Sequence, residues 1–455
     1  MLNRLSLSFL RILGIRKTTN PSRKIVLSFA FIILSGALLL MLPVSAKAGI
    51  VTPFVTALFT ATSATCVTGL VLVDTGAYYS TFGQIIILLL IQIGGLGFAT
   101  ILTIAFLASK KNIGMRNRML VAQTLGLESS SGVVRTARHV LVATAFFELT
   151  GAVLLWIRFI PEYGIKGIWY GIFHSVSAFC NAGFDILGNG TSIAVYENDF
   201  LVMIVLALLV IIGGLGFAVW EEIYKKRSLK KLSVYSKLVL IITGILLVFG
   251  TIVFFVFEHK NVNTIGNDTL STKWLSCFFQ SVTCRTAGFD AMGQTSLTEQ
   301  SKAFSVILMM IGGASGSTAG GIKVVSVGVL FIAAASVFRS RNDAVVMGRT
   351  ISRTNINYAT ALVVMWAVLV ISGALIICSV DSVNLLDSVF EVTSAYGTSG
   401  LSVGVSANSS LMTKIILMLY MFFGRVGVMT ISVMFMTRVV SNNSLKYPEG
   451  NIMIG

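Results

Sequence analysis

The sequence predicts an all-α membrane protein with eight transmembrane helices, laid out as four tandem repeats in a pseudo-fourfold arrangement. Three observations carry that expectation. Of 455 residues, 55% are hydrophobic and only 11% are charged, a balance that belongs to polytopic membrane proteins and excludes a soluble globule. Apolar runs near the roughly 20 residues that cross a bilayer recur along the chain. One short polar pattern returns four times at nearly constant spacing, the mark of an internal repeat.

That pattern is FTATSATCVTGL ending at Leu70, FHSVSAFCNAGF ending at Phe184, FFQSVTCRTAGF ending at Phe289 and FEVTSAYGTSGL ending at Leu401. Each has Phe (Phe59, Phe173, Phe278, Phe390) ten residues before a glycine (Gly69, Gly183, Gly288, Gly400), and the glycines are spaced by 114, 105 and 112 residues. About ten polar residues cannot span a bilayer, so each stretch is expected to enter from one face, turn and leave. A short helix ending at glycine presents carbonyl oxygens, because a residue without Cβ takes φ > 0 freely. Four such loops would offer rings of carbonyls that replace the hydration shell of K+, with the negative ends of the short helices directed at the ion. The candidate selectivity filter is Thr65, Cys66, Val67, Thr68 and Gly69; Phe179, Cys180, Asn181, Ala182 and Gly183; Cys284, Arg285, Thr286, Ala287 and Gly288; and Tyr396, Gly397, Thr398, Ser399 and Gly400, with K+ at the backbone carbonyls of the four glycines. Small residues that merely pack membrane helices would explain any one loop; four in register argue against it.

At TCVTGL, FCNAGF, CRTAGF and YGTSGL the chain resembles the Trk/Ktr/HKT superfamily of potassium transporters, with the Ktr-type membrane subunit the better match, over essentially its whole length. The resemblance implies that the four glycines are the selectivity residues. A serine at the first goes with Na+ permeation in some plant relatives, so Gly69 implies a preference for K+. It also implies a homodimer with one pore per protomer, seated on a cytoplasmic octameric ring of nucleotide-binding RCK subunits that would carry ATP or ADP. Trk-type relatives have extra N-terminal helices, whereas this chain starts directly with the first repeat.

In order, residues 1–23 are a basic cytoplasmic arm, reading equally as a surface helix or as disordered. Repeat 1 (24–112) has an outer helix Ile25–Leu42, a pore loop and an inner helix Gln84–Ala108. Ala46-Lys47-Ala48 imitates a signal-peptidase site, but an apolar stretch of about 18 residues exceeds a signal core of about 7 to 15 and is expected to stay. Repeat 2 (113–232) has helices Thr136–Ile160 and Leu201–Trp220, repeat 3 (233–340) Tyr235–Phe257 and Phe304–Val337, and repeat 4 (341–440) Ile356–Val380 and Met412–Met436, before a cytoplasmic tail, 441–455. Each repeat is thus helix–pore loop–helix.

The inner helices share glycines, Gly94-Gly95-Leu96-Gly97, Gly213-Gly214-Leu215-Gly216, Gly312-Gly313 and Phe423-Gly424; packing explains the first two as well as gating does. The third inner helix departs from the rest: Ile311 to Lys323 reads IGGASGSTAGGIK. Each glycine costs a helix about 1 kcal/mol against alanine, so the segment should break, and broken backbone at membrane depth is tolerated where it lines a water-filled cavity. The family resemblance implies an intramembrane gate here: Gly312, Gly313, Ala314, Ser315, Gly316, Ser317, Thr318, Ala319, Gly320, Gly321 and Lys323. Arg425 on the fourth inner helix is its natural counterpart, since positive charge below a cation filter slows K+ passage. Charge at membrane depth is costly and marks function; the alternatives are a buried ion pair for Arg425 and a snorkelling side chain for Lys323. Glu391 is expected to cap the fourth pore helix, or else to attract cations at the outer mouth; Glu148 is expected to pair with a polar group, within the chain or across a subunit contact; Arg285 must point away from the ion path.

The net charge of +16 does not signal nucleic acid, because of where the cations fall. They cluster as Arg16/Lys17/Arg23/Lys24, Lys110/Lys111/Arg116/Arg118, Lys225/Lys226/Arg227/Lys230/Lys231 and Arg339/Arg341/Arg349/Arg353, whereas the intervening loops hold only Lys47, Lys166, Lys260, Lys273, Lys302 and Lys414. The positive-inside rule then puts both termini in the cytoplasm of a bacterial cell and the pore loops outside. Cys66, Cys180, Cys277, Cys284 and Cys378 lack metal-ligand spacing, and no nucleotide or catalytic metal motif appears, so no cofactor and no enzyme activity are expected. A Na+- or H+-coupled symporter of the same fold is the rival reading. A remote one is an intramembrane serine protease, from Gly313-Ala314-Ser315-Gly316, which would need a base from His139, His174 or His259.

Overall fold

The computed structural model describes residues 21–97, 133–188, 190–341 and 343–427. The expected N-terminal arm (apart from its last residues), the C-terminal tail and the distal parts of the first and fourth inner helices lie outside these residues. The chain is mostly helical, and its helices come in groups. First come α1 (Pro21–Leu40), α2 (Phe54–Cys66) and α3 (Thr81–Leu96); then α4 (Val133–Tyr163), α5 (Lys166–Phe179), α6 (Phe200–Gly214) and α7 (Phe217–Lys226). They are followed by α8 (Val234–Glu258), α9 (Leu270–Thr283), α10 (Glu299–Met310) and α11 (Val324–Phe338), and lastly by α12 (Arg353–Asp381), α13 (Leu385–Gly397) and α14 (Leu411–Val426). A two-residue hairpin, β1 (Val345–Val346) with β2 (Arg349–Thr350), precedes α12. Its turn residues Met347 and Gly348 both have positive φ, as a tight two-residue β-turn requires.

Local chemistry sets where the helices start. Ser80, Asp199, Ser233, Thr269, Thr298, Ser352, Asn384 and Ser410 each place a side-chain oxygen on a free N–H of the first turn, which satisfies donors that the helix itself cannot.

Packing closes a circle. Each short central helix lies against the long helix before it, giving the pairs α1 with α2, α4 with α5, α8 with α9 and α12 with α13. Each is also touched by the inner helix of the preceding group: α3 meets α5, α6 meets α9, α10 meets α13, and α14 returns to α2. The last contact joins the fourth group to the first, so the chain forms a closed ring rather than an open row.

The burial pattern is inverted relative to a soluble protein. Ile241, Ile245, Val248 and Ile252 of α8 and Val364, Val368 and Ile371 of α12 are exposed, while Ser63, Thr68, Ser177, Thr283, Thr286, Ser394 and Thr398 around the axis are buried. Exposed apolar area of this extent marks contact with something other than water. Exposed hydroxyls on the outer helices bond back into their own helix, as Thr150 does to Phe146 and Thr360 to Ile356, which suits a surface facing lipid.

Three helices among the described residues are long and apolar enough to cross a membrane alone: Val134–Tyr163, Val234–Glu258 and Arg353–Asp381. The second inner helix differs from the straight span expected of it, whereas the third is broken where its glycines predict. The second does not run unbroken from Leu201 to Trp220; it bends by 94° between α6 and α7. The third is interrupted between Met310 and Val324. The cause in the second is Gly216, whose φ of 91° and ψ of 140° lie where essentially only glycine goes. Gly97 and Gly427 end α3 and α14 in nearly the same conformation.

Candidate functional site

Where the four central helices end, the same backbone is drawn four times. Val67, Asn181, Thr286 and Thr398 have φ of 56°, 58°, 71° and 52°, and Gly69, Gly183, Gly288 and Gly400 two residues later have φ of 98°, 67°, 84° and 83°. In each loop a left-handed residue, an ordinary one and a left-handed glycine follow one another, an alternation that turns successive peptide planes the same way. The amides are used up behind the loops. Thr68, Ala182 and Ser399 donate to the carbonyls of Ser63, Ser177 and Ser394 at 2.9, 2.7 and 2.8 Å, and Ala287 donates to Thr283 at 3.0 Å.

The four glycines converge. A Cβ added to Gly69 would lie 2.6 Å from the Ala182 oxygen, one on Gly183 2.6 Å from the Ala287 oxygen, and one on Gly288 2.7 Å from the Ser399 oxygen; one on Gly400 would collide with the Thr68 oxygen. Each glycine therefore faces the carbonyl just before the glycine of the next loop, and the fourth faces the first. Of the candidate filter residues, Thr65, Cys66, Val67, Thr68, Phe179, Cys180, Asn181, Ala182, Cys284, Thr286, Ala287, Tyr396, Thr398 and Ser399 are buried around this ring, as is Gly397. Arg285 is buried as well, and its Nε finds no hydrogen-bond partner among the described residues.

The inner-helix glycines press on the same structure from behind. A Cβ on Gly94, Gly213 or Gly424 would enter the carbonyl of Thr65, Phe179 or Tyr396 respectively, so these positions are glycine because backbone meets backbone there. Packing explains them, and Gly97, Gly216 and Gly427 supply the bends.

The interrupted third inner helix runs alongside. Ile311 and Ile322 form an isolated parallel bridge, and Gly312 donates to Ile322 at 2.9 Å and Val324 to Gly313 at 3.0 Å, so Gly312 to Gly321 form a closed loop. That loop is tied to the broken end of α6: Ala314 donates to Gly214 at 2.9 Å, Thr318 to Gly213 at 3.3 Å, and Phe217 donates back to Gly316 at 2.8 Å. The bend at Gly216 frees those carbonyls. Ser317 hydroxyl closes on Ala314 at 2.7 Å, and the Ser315 carbonyl takes the Tyr235 hydroxyl at 3.2 Å. Two contacts place the loop against opposite members of the ring. Thr318 hydroxyl donates to the Phe179 carbonyl of the second loop at 3.1 Å, and Gly320 lies so close to Thr398 of the fourth loop that a Cβ would strike its hydroxyl.

Arg425 holds the loop from the other side. Its guanidinium donates to the carbonyls of Thr318, Gly94 and Gly95, the last at 3.0 Å. The partners are carbonyls rather than a carboxylate, so the buried ion pair weighed for Arg425 is absent among the described residues. Lys323 folds back onto the Ala319 carbonyl at 2.9 Å instead of reaching outward.

Glu391 does not cap α13, whose cap is Asn384. It sits in mid-helix, wholly buried, and accepts from Ser402 Oγ at 2.8 Å, Ser406 N at 3.0 Å and Val403 N at 3.3 Å. This carboxylate anchors the segment leaving the fourth loop. Glu391→Ala is expected to lower the unfolding free energy by about 3 kcal/mol, the scale for stranding buried donors, read as a fall in Tm of the purified protein. An unchanged Tm would show that water replaces the carboxylate. No histidine hydrogen-bonds to Ser315 among the described residues: the His174 ring bonds the Tyr170 carbonyl at 2.8 Å, His259 the Val256 carbonyl at 3.0 Å, and His139 is exposed on α4.

Sequence reasoning did not find Gln92. Its amide donates to Glu148 at 3.0 Å and receives the Cys180 thiol at 3.6 Å. A lone glutamine in an apolar run was the available signal.

The comparisons accord with this geometry. Residues 15–447 match the family model TrkH, cation transport protein. The chain is 39% identical over 449 residues to the potassium/sodium uptake protein NtpJ of Enterococcus hirae, covering 97% of this chain and 98% of that one. It is 36% identical over 436 residues to the Ktr system potassium uptake protein B of Bacillus subtilis, covering 96% and 97%. Its fold resembles the crystal structure of the potassium transporter TrkH from Vibrio parahaemolyticus, with a TM-score of 0.73, 17% identity and coverage of 92% and 86%. With the matched residues taking in every loop of the ring and both sides of the interrupted helix, the chain belongs to the TrkH family of cation transport proteins.

Proposed function

We propose that this chain is the pore-forming subunit of a potassium uptake system in the bacterial cell membrane. Four repeats, 24–112, 113–232, 233–340 and 341–440, supply eight spans and four re-entrant loops, and K+ passes through the carbonyl ring at Gly69, Gly183, Gly288 and Gly400. Both termini face the cytoplasm, as the placement of the basic clusters favours. The observation that carries this reading is the cyclic order of the ring, in which each glycine abuts the carbonyl of the next loop and the fourth closes on the first. A closed ring of main-chain oxygens is the chemistry that strips water from a monovalent cation.

The segment Gly312–Gly321 is the gate. It lies between the second and fourth loops, and Arg425 adds positive charge to it, which opposes a cation. Opening requires the loop to leave the carbonyls of Gly213 and Gly214.

The chain works as a homodimer on a cytoplasmic nucleotide-binding RCK ring, with ATP or ADP on that partner and no cofactor here. The cleft between the α8 N-terminus and the hairpin, lined by Lys226, Lys231, Lys237 and Arg349, offers an acidic partner a docking surface.

The test is K+ or Rb+ uptake by an uptake-deficient bacterium expressing the chain, together with flux in liposomes holding the pure protein. Restored growth at low K+ and a preference for K+ over Na+ are expected; equal passage of alkali cations would overturn the reading. The second reading is Na+-coupled transport, favoured by the printed name of the Enterococcus hirae relative as a potassium/sodium uptake protein. K+ flux that stops when Na+ is withdrawn would select it.

A further inference from the structure

A carboxylate lies behind the filter that the conduction reading does not use. Glu148 sits in the middle of α4, where its neighbours Phe146, Leu149 and Val153 are exposed apolar residues, yet its side chain turns inward. Both of its oxygens accept from Gln92 Nε2 of α3, at 3.0 and 3.3 Å. The carbonyl end of the same amide takes the Cys180 thiol at 3.6 Å, and that thiol also lies 3.9 Å from Glu148 Oε1. Cys180 stands three residues before Gly183, and its sulfur packs against Gly95, where a Cβ would come within 2.7 Å. Carboxylate, amide and thiol thus form a triangle joining an outer helix, an inner helix and the second filter strand. Only this loop has it: the positions matching Gln92 are Ile211, Met310 and Phe422, and those matching Cys180 are Cys66, Arg285 and Gly397.

The groups facing Glu148 are few. From α3 comes the uncharged Gln92, and one turn further on the Gly94 and Gly95 carbonyls that hold Arg425. From the filter strand comes Cys180. From α5 the Ser175 hydroxyl bonds the Glu148 backbone carbonyl at 2.6 Å, while His174 turns to Tyr170. α6 carries no titratable side chain. Glu148 forms no ion pair among the described residues.

We propose that Glu148 and Gln92 are positioning residues that set the ion preference of the filter, with the orientation of the Gln92 amide following the protonation state of Glu148. The inference rests on the filter reading above. An ionised carboxylate only accepts, so Gln92 must offer it the NH2 group and keep its carbonyl for the thiol. When Glu148 takes a proton from water and gains an O–H bond, it becomes a donor. Gln92 then turns its carbonyl to Glu148 and presents NH2 to a sulfur that accepts poorly, and the strand ending at Gly183 loses its tether. The same turn of α3 holds Arg425, which holds Thr318, so the filter strand and the loop beneath it share one support.

The experiment uses the full chain in liposomes, with K+ and Na+ permeation measured at pH 5.5 and 8 for wild type, Glu148→Gln, Gln92→Leu and the double variant. The wild-type K+/Na+ ratio is expected to fall about tenfold at the lower pH, within the usual range of coupling between sites. Glu148→Gln should abolish that pH dependence. Gln92→Leu should hold the ratio low at both values, and the double variant should match Gln92→Leu alone. A pH-independent wild-type ratio, a wild-type profile in Glu148→Gln, or single effects that multiply in the double variant would each overturn the proposal. A purely structural pair would lower the yield of folded protein and leave the ratio unmoved, which also overturns it. If wild type shows no ion preference, the filter reading fails and this inference falls with it; if wild type prefers K+ and only the variants are silent, the inference fails alone.

Discussion

Gly400→Ala is expected to abolish K+ uptake while Gly49→Ala leaves it near wild type. Both glycines have positive φ, 83° and 67°, so both variants bear the strain of an alanine in the left-handed region, about 1 to 2 kcal/mol. They differ in what the new methyl meets. At Gly49 nothing lies within 4 Å. At Gly400 the methyl enters the Thr68 carbonyl and crowds Gly69 Cα at 2.9 Å, so that oxygen must move, and the proposed ion site loses its geometry. Losing about 3 kcal/mol of ion coordination slows passage by about 100-fold, and uptake by a deficient strain should fall to background. Gly69→Ser and Gly288→Ser test the other sides of the ring, where the added atoms meet the Ala182 and Ser399 oxygens. If Gly400→Ala conducts K+ at the wild-type rate, the ring is not the ion site.

Arg425→Ala should act in the opposite direction, raising K+ flux through the reconstituted protein. The guanidinium bridges the Thr318 carbonyl of the interrupted helix and the last carbonyls of α3, so its removal both frees the loop and removes a cation. Two like charges about 8 Å apart at an effective dielectric of about 20 repel by about 2 kcal/mol, enough for a rise of about 30-fold. Arg425→Lys separates the two effects, since an ammonium keeps the charge without the planar fork that spans several carbonyls. An intermediate flux is expected. Deleting Ala314 to Ala319 removes Thr318 as well and should raise flux by a similar factor; unchanged or abolished flux in folded protein of either kind would remove the gate assignment.

What was legible in the sequence follows from what local chemistry controls. Glycine at four equivalent places announced backbone of positive φ, and the structure has it there and also two residues earlier, at Val67, Asn181, Thr286 and Thr398. Those earlier positions were not legible, because their residue types share nothing that favours the left-handed region. The glycine content of Ile311 to Lys323 gave the break in the third inner helix, whereas the 94° bend of the second hid inside a run that hydropathy reads as continuous. Glu391 was misplaced because a carboxylate near a helix start suggests a cap, while the true start lies six residues earlier, at Leu385.

The sequence by itself determined the apolar character of the helices and the recurrence of the polar loops. These depend on the transfer of side chains between water and hydrocarbon and on conformational freedom residue by residue. Only the tertiary structure decided that α14 closes on α2, that Thr318 reaches Phe179, that Arg425 is held by carbonyls of α3, and that Gln92 stands between Glu148 and Cys180. Such contacts join residues up to 331 positions apart, and they exist only when packed helices bring particular backbone oxygens within hydrogen-bond reach, a constraint that no local pattern records.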